Sequence, residues 1–273
     1  MVRHTPEAIV NQQYRVRIGQ YISDGWQIFA TNAGGYIGFL LLSVFISFIF
    51  NVIPEFLATM IGIVISWLLQ AGNYFVGFKI THGQQPEFES FFNGFKGNYF
   101  LPIILTNLVS GLIINLFAIP AFFFFIVASL PWIQSFLREV NAQAAEPDPD
   151  IETFLGLLEQ LPPVPDNLRL ILVLLGLVLL LPGLYFAISY TFAIPLVVEH
   201  KFEFWPAMET SRRLISRDWF SFFLFNLTII FINVLGLCLC YVGLLVTVPL
   251  STCIIVAAYR DIIGLNPSDG NYR

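Results

Sequence analysis

The chain has 273 residues, 57% of them hydrophobic and only 11% charged, with a mean hydropathy of +0.76. Soluble domains are roughly a quarter charged, so a chain this poor in charge cannot cover a water-facing surface and reads as a polytopic membrane protein. The net charge of −5, with no basic tract, speaks against nucleic acid as a partner.

Residues 1–35 are polar and amphipathic, with no early apolar core of a signal peptide, and predict a cytoplasmic N-terminal segment that is not cleaved. Within it, Ile18, Ile22, Trp26 and Phe29 share one helical face, with Arg15, Arg17, Asp24 and Gln27 off that face. Crossing about 30 Å of hydrocarbon takes roughly 20 apolar residues. Runs of that kind cover 36–53, 56–78, 100–118, 168–198, 219–237 and 241–259. Between the first two pairs lies 86–98, where Phe88, Phe91, Phe92 and Phe95 form a second amphipathic face before the next span begins.

Residues 119–137 form one more apolar run, "IPAFFFFIVASLPWIQSFL", interrupted by Pro120 and Pro131. Charge decides how it is read, because Lys and Arg gather on the cytoplasmic side. Arg3, Arg15, Arg17, Lys79, Lys96, Lys201, Arg212, Arg213, Arg217, Arg260 and Arg273 fall in the N-terminal segment, two linkers and the tail. The segment from Arg138 to Arg169 holds the two remaining basic residues among seven acids. That places 138–167 outside and both termini inside, with six crossings. Residues 119–137 then fold into the outer leaflet, turning at Pro120, within a first membrane half of 36–137. A seventh crossing would put Arg212, Arg213 and Arg217 outside, against the charge rule. The acidic insert 138–167 is punctuated by five prolines and carries a short amphipathic helix over 151–161, with Ile151, Phe154, Leu155, Leu158 and Leu161 on one face. A second membrane half, 168–264, and a cytoplasmic tail, 265–273, complete the chain.

A third amphipathic stretch, "EFWPAMETSRRLISRDWF", covers 203–220. Phe204, Met208, Ile215 and Trp219 make its apolar stripe, and Glu209 stands one turn before Arg212 and Arg213, where ion pairs can form. Such a helix lies flat at the membrane interface. The expected fold is therefore all-α: a polytopic membrane helical bundle of about six transmembrane helices, built as three repeats of an interfacial helix plus a hairpin. Arg212, Arg213, Arg217, Trp219, Trp26 and Phe92 are the candidates for lipid-interface contact.

The stretch "LLLPGLYFAISYTFAIPLVVEHKFEFWPAMETSRRLISRDWF" at 179–220 carries Pro182, Gly183, Tyr185, Pro195, Glu199, Ala207, Ser211 and Trp219 at the spacing of a known pattern, and the later "VAAYRDIIG" fits its closing helix. In these residues the chain resembles the bacterial inner-membrane proteins grouped around the membrane domain of glycerophosphoryl diester phosphodiesterases. The match covers most of the last 90 residues, weakens in the first half and is absent from 119–167. The resemblance implies six helices and a bacterial cytoplasmic membrane location. It does not imply phosphodiesterase activity, since no segment is long enough to hold the soluble catalytic domain.

No catalytic set emerges. His4, His82 and His200 stand in separate linkers; a metal site joining His82 to Glu199 and His200 lacks the paired spacing of ligands on one helix. No metal or cofactor is expected. Cys238 and Cys240 form C-x-C, not C-x-x-C, and with Cys253 read as small buried hydrophobes. No ionisable group sits at mid-membrane depth, where coupled transporters keep one. The spans instead carry Gln70, Asn73, Asn107, Asn115, Asn226 and Asn233, which either glue helices together or line a polar path. Two functions follow. The first is a non-enzymatic scaffold or accessory subunit that meets lipids and, through 138–167, another membrane or extracytoplasmic protein. The alternative is a small-solute or lipid transport or handling protein. Amides lining a helix gap open to the bilayer would favour the alternative; dry packing would favour the scaffold.

Overall fold

The structure is a computed structural model that describes residues 5–49, 54–143, 149–159, 164–239 and 242–266. Among these there is no strand, and the fold is an all-α membrane bundle. Helices α4 (Glu55–Thr81), α5 (Gly97–Gln143), α7 (Asp166–Ser189), α10 (Trp219–Cys238) and α11 (Leu244–Ile262) are long and apolar enough to cross a membrane. A sixth candidate is the pair formed by the amphipathic α2 (Ile18–Thr31) and α3 (Ala33–Ile49), which reach that length and apolarity only together and meet at an 81° bend. The remaining elements are short: α1 (Pro6–Val10), a 3₁₀ helix at Phe88–Phe95, α6 (Pro149–Glu159), α8 (Ala193–His200), α9 (Phe204–Ile215) and a 3₁₀ turn at Ser216–Asp218. The three amphipathic stretches all form, as α2, the 3₁₀ helix and α9, and each leads directly into a long apolar helix.

The faces they bury are rotated from those expected. On α2 the buried residues are Tyr21, Gly25, Ile28 and Phe29, while Trp26 is 52% exposed. Gly25 explains the rotation. A Cβ there would lie 2.7 Å from the Cα of Ile254, so α2 rides against the backbone of α11 along its glycine. Gly72 does the same for α4, where the Phe88–Phe95 segment sits so close that a Cβ would fall 2.0 Å from the Phe91 carbonyl oxygen. On α9 the buried face is Ala207, Met208, Ser211, Leu214 and Ile215.

One expectation about the chain path is corrected. There is no turn at Pro120: α5 runs as one helix of 47 residues through both Pro120 and Pro131. Each proline removes one backbone bond, but no Gly, Asn or Asp accompanies either to form a turn, and interior prolines are tolerated in membrane helices. Residues 119–137 are thus the continuation of the helix that begins at Gly97. The 168–198 run is broken between Ser189 and Ala193, whereas Pro182 lies inside α7. The cause is Pro195, whose ring displaces the carbonyl four residues earlier, at Thr191.

The chain divides into two compact units, 111–186 and the remainder. In the smaller, α5 and α7 meet where Gly176 lets Phe125 and the Ala121 carbonyl approach, and Phe117 stacks on Phe186. Helix α6 docks on α5 through buried Leu155 and Leu158 and a 3.1 Å bond from Gln134 Nε2 to the Leu158 carbonyl. Its Phe154 and Leu157 stay exposed; Leu161 lies outside the described residues. The larger unit has a dense aromatic core of Tyr36, Phe39, Phe75, Phe78, Phe91, Phe192, Phe222 and Tyr259.

Candidate functional site

Helices α4 and α11 each show two environments. Toward their C-terminal ends they are enclosed: residues 74–78 of α4 and 256–259 of α11 are buried. Nearer their N-terminal ends they border a cavity of about 1330 Å3, walled also by α3 and α10. Its volume exceeds the ~300–1,000 Å3 of ordinary small-molecule pockets. Three of the six candidate amides, Gln70, Asn73 and Asn233, line it, together with Ser43, Ser66 and Ser251. Val44, Ile63, Gln70 and Val248 on its rim are exposed, so it opens laterally from the bundle.

The hydrogen bonding of these groups is uneven. Ser43, Ser66 and Ser251 give their hydroxyl protons to carbonyls of their own helices, at Phe39, Ile63 and Thr247. Asn233 Nδ2 donates to Ser251 Oγ at 2.7 Å and to the Ile229 carbonyl at 2.9 Å. Its Oδ1 is buried and, among the described residues, accepts nothing. Gln70 and Asn73 make no hydrogen bond among the described residues, although Asn73 is half-buried. An unbonded amide facing hydrocarbon is costly, because no water replaces the missing partner. Helix glue would show the amides bonded across helices, and these two are not.

The other three amides lie elsewhere. Asn107 and Asn115 bond to carbonyls of their own helix at Ile103 and Gly111. Asn226 bonds to the Phe222 carbonyl and to Thr191 Oγ1 at 3.2 Å.

The interface candidates are mostly engaged within the protein. Glu209 accepts from Arg212 at 2.7 and 2.9 Å and from Arg213 at 2.6 Å, as the sequence spacing leads one to expect. The Arg212 bond, followed by that of Arg213, holds the Glu209 carboxyl down to about 2 against the desolvation that raises it. Arg217 reaches the Gln12 carbonyl at 2.9 Å and ties down the N-terminal segment. Trp219 stacks on Phe223. Phe92 is half-buried, packed edge-on against Phe39. Trp26 is 52% exposed, and Arg213 and Arg217 are exposed as well.

A second polar cluster lies at the enclosed end, and sequence reading assembled only part of it. Glu199, fully buried, accepts from His82 Nε2 at 2.8 Å and from the Asn266 backbone N–H at 2.9 Å. His200 Nδ1 lies 2.5 Å from the Tyr259 hydroxyl. Asp24 accepts from Arg260 at 2.7 Å, and Asp261 takes the Tyr21 hydroxyl at 2.9 Å and pairs with Arg17. The Tyr-Arg-Asp triplet at 259–261 therefore fastens α8 and α2 to the end of α11. Ser211 has a comparable role: its hydroxyl donates to the Ser189 carbonyl at 2.7 Å and accepts from the Phe192 N–H at 3.1 Å, bridging the break between α7 and α8. Among the described residues no group of three or more His, Cys, Asp or Glu could hold a metal ion; His4 and Cys240 lie outside them.

No family model, curated protein or solved structure matches the chain.

Proposed function

We propose that this protein binds and handles an apolar or amphiphilic molecule that enters from the bilayer, in a lipid-handling or transport role. The observation that carries the reading is the lateral cavity, lined by Gln70 and Asn73, whose amides make no hydrogen bond among the described residues. Pockets that are largely apolar with a few converging polar groups are the usual form of ligand sites. The charge asymmetry supports cytoplasmic termini and an extracytoplasmic 138–167 segment. The resemblance at 179–220 supports a bacterial inner membrane.

The test fills the cavity. Gly62 lines it, and a Cβ at this position meets nothing within 4 Å, so Gly62→Trp places its indole in open space without disturbing the frame. Lipids and small molecules retained by the wild type and by Gly62→Trp, purified in mild detergent, are compared by mass spectrometry. Wild type should retain a species that the variant loses. Identical profiles from two equally stable proteins would refute the reading. A second reading, docking of a partner protein, is supported by Phe154 and Leu157 of α6 and by Trp132 and Phe136 of α5, all exposed within the 111–186 unit. Deleting 143–165 should then remove a co-purifying protein without affecting the retained lipid.

A further inference from the structure

We infer that the occupant of the cavity is an uncharged lipid whose head carries hydroxyl, ester or amide groups, and that Gln70 and Asn73 read this head. The inference rests on the ligand-binding role proposed above and adds the chemical class. Among the described lining residues there is no Asp, Glu, Lys, Arg or His. A phosphate or carboxylate in this apolar setting would have no counter-charge, and an unpaired ion at bilayer depth is strongly disfavoured. A free amide presents both a carbonyl acceptor and an NH₂ donor. Gln70 and Asn73 sit three residues apart on α4, so both fall on one face and can engage one small head together. Asn233, on α10, completes the uncharged lining, its Nδ2 donating to Ser251 Oγ and its Oδ1 buried. This combination of donors and acceptors suits a head that both donates and accepts, as a hydroxyl does. It does not suit an ionised oxygen cluster, which only accepts. The hydroxyl residues Thr59, Tyr74 and Thr252 also line the cavity and, like Ser43, Ser66 and Ser251, which donate to their own helices, bring no charge.

The test uses the full chain in phosphatidylcholine nanodiscs with a photoactivatable dioleoylglycerol, cross-linked sites being mapped by peptide mass spectrometry. Unlabelled dioleoylglycerol and dioleoyl phosphatidic acid, which share their tails and differ in head charge, are the competitors. Cross-links should fall in residues 58–74. Dioleoylglycerol should compete at least tenfold more effectively than phosphatidic acid. Asn73→Leu should weaken labelling about tenfold, and Asn107→Leu, whose amide serves only its own helix, should leave it unchanged. Equal competition by the two lipids overturns the neutral-head inference while the binding role stands. Absence of any cross-link in 58–74, with a phosphatidic acid probe as well as with dioleoylglycerol, overturns both. The wild-type competition decides the matter even where Asn73→Leu fails to fold.

Discussion

Ser211→Ala deletes one oxygen from a site with no exposure to solvent. That oxygen is the hinge pin of the α7–α8 break: it satisfies the Ser189 carbonyl at 2.7 Å and the Phe192 N–H at 3.1 Å. The break cannot heal by extending the helix, because Pro195 excludes the Thr191 carbonyl from the ladder. The backbone groups at 189 and 192 thus lose a partner that water cannot replace. Leaving buried polar groups unmet costs about 1–3 kcal/mol. In a protein of this size each kcal/mol moves the midpoint by roughly 2–4 °C, so thermal unfolding in detergent should drop by about 2–12 °C. Ser216→Ala is the control, since that exposed hydroxyl bonds only to the Arg213 carbonyl of its own turn, and it should shift the midpoint by no more than about 1 °C. Equal midpoints for Ser211→Ala and wild type would show that the break is held by packing alone, and the bridging argument would fail.

Three further outcomes are expected. In a cysteine-free background, Asp148→Cys and Asp269→Cys should label from opposite faces of the membrane; labelling from the same face would restore a seventh crossing. Gly72→Ala should destabilise by about 1–3 kcal/mol or more, measured by the same unfolding assay, because its methyl would meet the Phe91 carbonyl at 2.0 Å; Gly38→Ala, with open space around it, should not. Glu209 titrates at about 2 against an ordinary 4.5, so its contribution is present above pH 4.5 and is lost as pH falls through about 2. Because the pair is solvent-screened, the gap between wild type and Glu209→Gln should stay within about 1 kcal/mol, and a gap that widens on acidification would contradict the pairing.

Much of the frame is legible in the sequence because hydrocarbon thickness dictates helix length. Long apolar runs, aromatic stripes and the Glu209–Arg212 spacing all act within one or two turns. What was not legible depends on contacts distant in sequence or on the competition between a proline and its neighbours. Pro120 and Pro195 look alike locally, yet the helix continues through the first and breaks before the second, where Ser211 is present to bridge the gap. The rotation of α2 follows from Gly25 meeting Ile254, 229 positions away by residue number. His82 and Glu199 stand 117 positions apart, and no local pattern joins them, yet the structure pairs them and adds the Asn266 N–H. Of six amides equally polar on paper, only three share a cavity, and no local signal distinguishes Asn73 from Asn107.

Motif and cavity divide the molecule in a way that bears on function. The residues of the 179–220 pattern and the closing triplet act at the enclosed end: Glu199 holds His82 and the Asn266 backbone, Ser211 bridges the helix break, and Arg260 and Asp261 fasten α2. Gln70, Asn73 and Asn233 belong to neither motif. A frame anchored so firmly at one end can leave α3 and α4 separated from α10 at the other, since packing lost around the cavity is offset by the core. Substitutions should sort accordingly. Glu199→Leu removes the acceptor shared by two donors in a fully buried site and should cost about 3–5 kcal/mol, with the retained lipid unchanged in whatever protein stays folded. Asn73→Leu should do the reverse, altering what is bound at little expense in stability. The ligand is then set by Gln70 and Asn73, which the frame leaves free to vary, so chains sharing the motif need not share the ligand.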